Sequence, residues 1–246
     1  MTDKGGAAFV VRIMTSYFRY AHFLCDIHLV ICDMDGLLLD TERLSENSFR
    51  QASLLFDLAF NTELFAALTG QSGSAHRQIL ATYLPNEVDA VTFDRHWKKI
   101  YHDSLSEDVP VKPMAAEFLQ NIQQAGVPLA VATSSHTDKA SDQLTRAGLA
   151  LFLDLIAGGN QVSQAKPSPE IYQRVMTAFN VDAQQVLVLE DSNNGVRAGL
   201  AAGAKTVQIP DRLPADPAFS ASASYHKTDS LAAVISDLTV VTCEAG

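Results

Sequence analysis

Short apolar segments that alternate with segments of helical periodicity constrain the fold of this chain more than any other feature of its sequence. Most of these segments are apolar almost throughout, which is typical of strands buried on both faces of a parallel sheet. The predicted strands are HLVICD (28–33), PLAVATS (128–134), DLIAG (154–158), VLVLED (186–191) and KTVQI (205–209), and the predicted helices cover 115–126, 138–148, 169–180 and 194–203. This alternation predicts an α/β fold with a doubly wound, Rossmann-like parallel sheet.

One long segment interrupts this alternation. Between about Leu44 and Val109 there is no buried-strand pattern, and the apolar residues recur at helical spacing. The segment is too long for an ordinary connection between a strand and a helix, so we predict an inserted, small α-helical cap domain. The predicted organisation is an N-terminal extension (1–26), a core (27–43 and 111–240), a helical cap (44–110) and a C-terminal tail (241–246).

The two ends of the predicted core carry weaker patterns. The N-terminal extension is interpreted as irregular, with a helix packed on the core as an alternative. Residues 210–224 are rich in proline, alanine and serine, a composition typical of loops. The pattern over 228–238 predicts a final helix, with Thr228 or Asp229 as its N-cap.

Composition argues against several classes of partner. The chain has 246 residues, is 47% hydrophobic and has a formal net charge of -10 without basic runs, so we expect neither nucleic acid nor a membrane as a partner. The apolar stretches of the N-terminal extension are far shorter than the ~20 residues of a membrane helix. Three cysteines without the spacing of metal ligands favour reduced thiols and a cytoplasmic protein. We expect a monomer and leave a dimer open.

Polar residues follow the predicted strands at the points where the strands end. These residues are Asp33 and Asp35 after the first strand, Thr133, Ser134 and Ser135 after the second, Glu190 and Asp191 after the fourth, and Lys166 before the helix at 169. Because ligands of an open α/β sheet bind outside the carboxyl ends of its strands, we expect these residues to lie at one edge of the sheet.

The four carboxylates of this set would repel one another strongly without a cation. Asp33, Asp35, Glu190 and Asp191 offer hard oxygen ligands, which suit Mg²⁺. No histidine or cysteine cluster accompanies them, which argues against zinc. For the two aspartates taken alone, a polar turn after a strand is the simpler interpretation.

Three further residues suit the binding of a phosphate group. The hydroxyl of Thr133 and the backbone N–H of Ser134, at a predicted helix start, match phosphate oxygens, although N-capping of the next helix would use the same groups. Lys166 would supply positive charge to a carboxylate that attacks an anionic phosphate, and a solvated lysine is the alternative. Together with the carboxylates, this set describes phosphoryl transfer to an aspartate.

The segments DMDGLLLDTE, VATSS, KPSPEIY and VLVLEDSNNGVRAGLAAG closely resemble, in order and spacing, the four motifs of the haloacid dehalogenase-like phosphatases. The resemblance covers residues 28 to about 238. The helical insertion directly after the first motif resembles the cap of the subfamily that includes small sugar-phosphate phosphatases and β-phosphoglucomutase. The resemblance implies Mg²⁺-dependent hydrolysis of small phosphate monoesters of the sugar or polyol phosphate type.

The resemblance also implies a role for each matching residue. Asp33 would be the nucleophile that forms an aspartyl-phosphate, and Asp35 the general acid/base. A carboxylate at Asp35 favours phosphate esters, because haloacid dehalogenases lack one there. The implied catalytic residues are Asp33, Asp35, Thr133 and Lys166, the implied phosphate-binding residues are Gly36, Thr133, Ser134 and Lys166, and the implied magnesium ligands are Asp33, Asp35, Glu190 and Asp191.

Two alternative functions remain at this point. A β-phosphoglucomutase-like phosphomutase is weakened by Ser45 and Gly73, since these positions match a histidine and an arginine in such proteins. A non-catalytic, phosphate-sensing protein of the same fold should have lost Asp33, Asp35 or Lys166, and none is lost. For an enzyme, we expect the cap to close over the nucleophile and to exclude bulk water.

Overall fold

The structure, a computed structural model, describes residues 16–69 and 73–242 and divides into two units. The core unit comprises the described residues up to Leu39 and from Val111 onward, and the helical unit is Asp40–Pro110. The helical unit begins four residues before the predicted cap, because its first helix starts at Thr41.

The elements of the described residues are as follows, in chain order. The strands are β1 (Ser16–Tyr20), β2 (Asp26–Ile27), β3 (Leu29–Cys32), β4 (Leu129–Thr133), β5 (Leu155–Gly158), β6 (Val186–Glu190), β7 (Lys205–Gln208), β8 (Tyr225–Lys227) and β9 (Leu238–Thr242). The α-helices are α1 (Thr41–Leu55), α2 (Thr62–Leu68), α3 (Gly73–Tyr83), α4 (Ala90–Glu107), α5 (Ala115–Gln124), α6 (Thr137–Arg146), α7 (Glu170–Phe179), α8 (Asn193–Ala201) and α9 (Leu231–Asp237). Short 3₁₀ helices cover Ala150–Phe152, Gly159–Gln161, Ala183–Gln185 and Pro217–Ala221.

The main sheet of the core unit is parallel throughout and has the strand order β5-β4-β3-β6-β7-β8. Every residue of β3, β4 and β6 is buried, which matches their nearly continuous apolar sequences. Helix α7 packs on β3, β4 and β5, and α8 packs on β6 and β7. The prediction of a doubly wound parallel sheet with an inserted helical region is confirmed.

The register of the three central strands places their carboxyl ends together. Cys32 at the end of β3 lies beside Val131 of β4 and Leu189 of β6. The next residue, Asp33, extends this pairing with a backbone hydrogen bond of 2.9 Å from its N–H to the carbonyl oxygen of Leu189. In the same register Asp33 is level with Glu190, the last residue of β6, and with Ala132, the residue before the last one of β4.

A second, antiparallel sheet with the order β2-β1-β9 joins the two ends of the described core unit. The interpretation of the N-terminal extension (1–26) as irregular or helical is wrong for β1 and for Asp26, the first residue of β2, whereas residues 21–25 form turns and bends. In β1, Ser16, Phe18 and Tyr20 are buried while Arg19 is exposed, a period of two that a strand requires. The predicted tail also differs, because β9 continues to Thr242, and residues 1–15 and 243–246 lie outside the described residues.

Residues 210–224, predicted as a loop, contain only the short 3₁₀ helix Pro217–Ala221, and a strand that was not predicted follows them. Strand β8 pairs with β7, and the Thr228 N–H continues this pairing with a bond to the carbonyl oxygen of Gln208 at 3.0 Å. Because Thr228 is held in this way, α9 starts later than predicted, and its N-cap is Ser230, whose hydroxyl accepts from the Ala233 N–H at 3.2 Å. The prediction of Thr228 or Asp229 as the cap is therefore wrong.

The described part of the helical unit contains helices and their connections. Helices α1 and α4 pack along each other around an aromatic cluster in which Phe49 meets Phe93 and Trp97 edge-on, at ring distances of 5.2 and 5.0 Å. The indole N–H of Trp97 donates to the carbonyl oxygen of Ser45 at 3.0 Å. Among residues 16–69 and 73–242, no helix combines the length and the apolar character needed to cross a membrane.

Candidate active site

The chain turns sharply immediately after β3, and this turn carries the first predicted motif. Met34 is fully buried, and its carbonyl oxygen accepts hydrogen bonds from the N–H groups of Leu38 and Leu39. Gly36 has a φ of 87°, a conformation that favours glycine. A Cβ atom at Gly36 would also collide with the carboxylate of Asp191, so the absence of a side chain lets Asp191 approach the turn.

Lys166 connects the ends of three strands. Its Nζ atom lies 2.5 Å from Asp33 Oδ1, 2.6 Å from Glu190 Oε1 and 2.9 Å from the carbonyl oxygen of Ala132. The side chain of Lys166 is only 5% exposed, so these ion pairs are shielded from solvent. The structure thus places the predicted lysine between the predicted nucleophile and the acidic end of β6.

Glu190 is fully buried, and hydrogen bonds engage both of its carboxylate oxygens. Oε1 accepts from Lys166 and from the hydroxyl of Tyr172 at 2.6 Å, while Oε2 accepts from the N–H and the hydroxyl of Ser192 at 3.2 and 3.0 Å. A Cβ atom at Gly195 would overlap the Glu190 carboxylate, so α8 begins directly against this side chain. Glu190 is therefore held rigidly by its surroundings.

Burial and the neighbouring charges shift the pKa values of Asp33 and Lys166. Removal from solvent raises the pKa of Asp33 to about 8, although the charge of Lys166 opposes that rise. Burial also favours the neutral amine of Lys166, but the charges of Asp33 and Glu190 outweigh it and hold the pKa of this lysine above its usual range. Two buried carboxylates thus share one ammonium group, and a further cation would keep Asp33 ionised.

The donor set at this position fits a magnesium ion. Carboxylate oxygens of Asp33, Glu190 and Asp191 lie within 4.8 Å of one another, and no histidine or cysteine belongs to this group. Oxygen ligands alone are what Mg²⁺ prefers. Because the Glu190 oxygens already accept hydrogen bonds, Asp33 and Asp191 are the better candidates for direct ligands.

Asp35 lies beside the end of β4. Its Oδ2 atom accepts hydrogen bonds from the hydroxyl of Ser135 at 3.0 Å and from that of Thr133 at 3.4 Å. Ser134 is exposed, and α6 begins only at Thr137 with His136 as its N-cap. The expectation that the Ser134 N–H stands at a helix start is therefore wrong, because residues 134–136 separate the end of β4 from the first residue of α6.

The structure brings three further polar side chains into the site, Ser135, Tyr172 and Ser192. Ser135 was expected at this edge of the sheet without a specific role, whereas Tyr172 and Ser192 were not predicted. Tyr172 lies in the third motif, so its presence there is visible in the sequence. Its bond to Glu190 depends on the packing of α7 on the sheet, a contact for which no local pattern exists.

The sequence matches a known protein family over most of its length. The family model described as haloacid dehalogenase-like hydrolase matches residues 30–209. This range begins in β3 and ends just after β7, so it includes all of the predicted motif residues.

Individual relatives show the same similarity. The phosphorylated carbohydrates phosphatase of Thermotoga maritima is 31% identical over 178 residues, which are 72% of this chain and 82% of that protein. The validoxylamine A 7'-phosphate phosphatase of Streptomyces hygroscopicus is 27% identical over 179 residues, 71% of this chain and 82% of the relative. The crystal structure of CbbY from Rhodobacter sphaeroides in complex with phosphate has a TM-score of 0.65 at 25% identity and covers 84% of this chain and 95% of that chain.

Proposed function

Because the chain belongs to the haloacid dehalogenase-like hydrolases, we propose that it hydrolyses small phosphate monoesters, of the sugar or polyol phosphate type, through an aspartyl-phosphate on Asp33. The observation that carries this proposal is the position of Lys166, whose Nζ atom contacts both Asp33 and Glu190 in a buried site. The name of one relative, a phosphatase of phosphorylated carbohydrates, supports the sugar phosphate class, and that of a second, a phosphatase of validoxylamine A 7'-phosphate, supports a small phosphate ester.

The first step transfers the phosphoryl group to the protein. A carboxylate oxygen of Asp33 attacks phosphorus, and the bond between phosphorus and the ester oxygen breaks with its electron pair going to that oxygen. Asp35 acts as the general acid and gives its proton to the departing alcohol. The hydroxyls of Ser135 and Thr133 orient the Asp35 carboxyl group for this transfer.

The second step releases inorganic phosphate. A water oxygen attacks phosphorus while Asp35, now a carboxylate, takes a proton from that water. The bond between Asp33 and phosphorus breaks, and its electron pair returns to the Asp33 carboxylate. Asp35 lies two residues after the nucleophile and is not among the ion-pair partners of Lys166. We infer that it can therefore serve as the acid in the first step and as the base in the second.

Lys166 and the carboxylates around it have different electrostatic roles. The ammonium group offsets the repulsion between Asp33 and an anionic substrate, and Glu190 holds that group in place. Asp33, Asp191 and the backbone carbonyl of Asp35 would hold Mg²⁺, which when bound neutralises phosphoryl charge as a Lewis acid. The assignment of Glu190 as a further ligand stays a prediction.

The phosphoryl oxygens need donors besides Lys166. Thr133, Ser134 and the turn at Gly36 are the predicted donors, and they lie at the end of β4 or in the segments that follow β3 and β4. Thr133 is nearly fully buried, so its hydroxyl has a defined position. These assignments remain predictions.

A panel of phosphate monoesters tests the proposal. With Mg²⁺ present we expect turnover of sugar or polyol phosphates, and a chelator should abolish it. Asp33→Asn should lower kcat by a factor on the order of 10³ or more, because it removes the nucleophile. Asp142→Asn, which alters an exposed carboxylate on α6, is the matched control. Equal rates for wild type and Asp33→Asn would overturn the proposal.

Asp35→Asn separates the two steps. A nitrophenolate leaving group departs without a proton, so the first step with p-nitrophenyl phosphate should survive while hydrolysis of the aspartyl-phosphate stalls. We expect a burst of nitrophenolate and a phosphorylated Asp33 detectable by mass spectrometry. Interconversion of two sugar phosphates that requires a bisphosphate activator would instead identify a phosphomutase.

A further inference from the structure

A second group of ligand-type side chains lies in the core unit, outside the candidate active site. We call His22, His226 and Asp237 the histidine cluster. His22 lies in the turn between β1 and β2, His226 in the middle of β8, and Asp237 at the last position of α9. The cluster therefore joins the antiparallel sheet, the edge strand of the main sheet and the last helix.

The ligand atoms of the histidine cluster lie near one another. The Nε2 atom of His22 lies 3.2 Å from Asp237 Oδ2, and one ligand atom from each residue lies within 4.8 Å of the other two. The imidazole rings of His22 and His226 are stacked with centroids 3.6 Å apart. Tetrahedral zinc with bonds of about 2.0–2.1 Å would hold its ligand atoms roughly 3.3 Å apart and would lie in the plane of each bound imidazole, so the exposed His22 ring must turn out of this stack for both rings to reach one ion.

A buried hydroxyl beside the histidine cluster provides an independent indication of a ligand. Tyr20 is 1% exposed, and its hydroxyl oxygen has no hydrogen-bond partner among the described residues. Its ring lies 5.4 Å from that of His22 and 6.0 Å from that of His226. Burial and, after it, the negative charge of Asp237 raise the pKa of the Tyr20 hydroxyl.

An unpartnered buried hydroxyl is unfavourable, and native proteins usually satisfy such groups. Three protein ligands leave one position of a tetrahedral zinc ion to water. A water at that position would offer the Tyr20 hydroxyl a hydrogen bond.

We propose that His22, His226 and Asp237 bind a divalent transition-metal ion, with Zn²⁺ as the best match, in a structural site separate from the candidate active site. Two imidazoles and one carboxylate suit zinc and related ions, whereas Mg²⁺ prefers oxygen ligands only. None of the three residues belongs to the acidic group at Asp33. The bound ion cross-links β8 to the segments around β1 and α9.

Zinc titration of the full chain tests this proposal. Protein stripped of metal by a chelator is titrated calorimetrically with Zn²⁺ while excess Mg²⁺ is present to fill the candidate active site. We expect one zinc equivalent that is lost in His22→Ala and His226→Ala, with affinity falling by more than the 10–100-fold typical of mutations that only support a metal ligand. His102→Ala, a histidine on α4, is the matched control and should keep this equivalent.

Two further measurements make the result specific. Asp191→Asn should keep the zinc equivalent, which separates the histidine cluster from the candidate active site. Co²⁺ should give a tetrahedral-type visible spectrum in wild type and lose it in His22→Gln, a variant of an exposed residue that should fold. Unchanged zinc stoichiometry in both His22→Ala and His226→Ala, or equal loss in His102→Ala, would overturn the proposal. Hydrolysis of phosphate esters with Mg²⁺ alone is independent of this outcome.

Discussion

The two candidate ligand clusters of the core unit differ in how they hold their charges. Around Lys166, the side chains are almost fully buried, and the ammonium group pairs with both Asp33 and Glu190. In the histidine cluster, the His22 side chain is 42% exposed and its pair with Asp237 faces solvent. Removal of one partner from a buried ion-pair network lowers the free energy of unfolding strongly, because a buried charge is left unpaired. An exposed cluster contributes little to this free energy until an ion binds.

The largest effect should come from Lys166→Met, which leaves two buried carboxylates without their cation. We expect the free energy of unfolding, measured with urea and a chelator, to fall by about 3–5 kcal/mol. Lys227→Met, at a side chain that is half exposed, should change it by less than about 0.5 kcal/mol. Similar losses in the two variants would contradict a coupled buried network.

Stability without metal should depend on pH through Asp33. Because burial raises the pKa of Asp33 from 3.8 to about 8, the folded protein keeps a proton that the unfolded chain releases in this interval. The free energy of unfolding should therefore fall as pH rises from 3.8 to about 8. Urea unfolding at several pH values should show a shallower slope in Asp33→Asn, and Mg²⁺ should reduce the slope of wild type. Identical slopes in wild type and Asp33→Asn would count against the raised pKa.

A smaller effect is expected for Tyr172→Phe. The Tyr172 hydroxyl donates to the charged carboxylate of Glu190, so its removal should cost about 1.5–3 kcal/mol of unfolding free energy and lower kcat through a less constrained Lys166. Tyr225→Phe removes a hydroxyl that donates to the neutral amide oxygen of Gln208, and about 0.5–1.5 kcal/mol is expected. A larger loss of unfolding free energy in Tyr225→Phe than in Tyr172→Phe would contradict this prediction.

The smallest effect should belong to His22→Ala without metal. An exposed pair with Asp237 is screened by solvent, so the free energy of unfolding should change by less than about 1 kcal/mol in a chelator. With Zn²⁺, wild type should gain stability as the ion binds the folded state, and His22→Ala should not. A large loss without metal would show that the cluster stabilises the fold by itself.

The sequence was sufficient for five of the six strands of the main sheet and for the placement of its polar ends. Strands such as β3 and β6 are short, apolar and followed by Asp33 and Asp191, so their pattern predicts both a buried strand and a ligand position. The pairing of β1 with β9 could not be predicted, because it joins residues more than 200 positions apart and the segment SYFRY is too short for a clear periodicity. Strand β8 was not predicted because its three residues are too few to show a strand pattern, and it pairs with β7 alone at the edge of the sheet.

For the candidate site, the sequence alone determined which residue types stand at the strand ends, because parallel strands in one sheet must end at the same edge. Only the tertiary structure decided which groups contact Glu190 Oε1, since Lys166 and Tyr172 lie 24 and 18 positions away along the chain. The histidine cluster also depends entirely on the tertiary structure, because residues 22, 226 and 237 are brought together by the arrangement of the two sheets and the last helix. Local patterns specify elements, whereas contacts between distant elements depend on burial and packing that no short segment encodes.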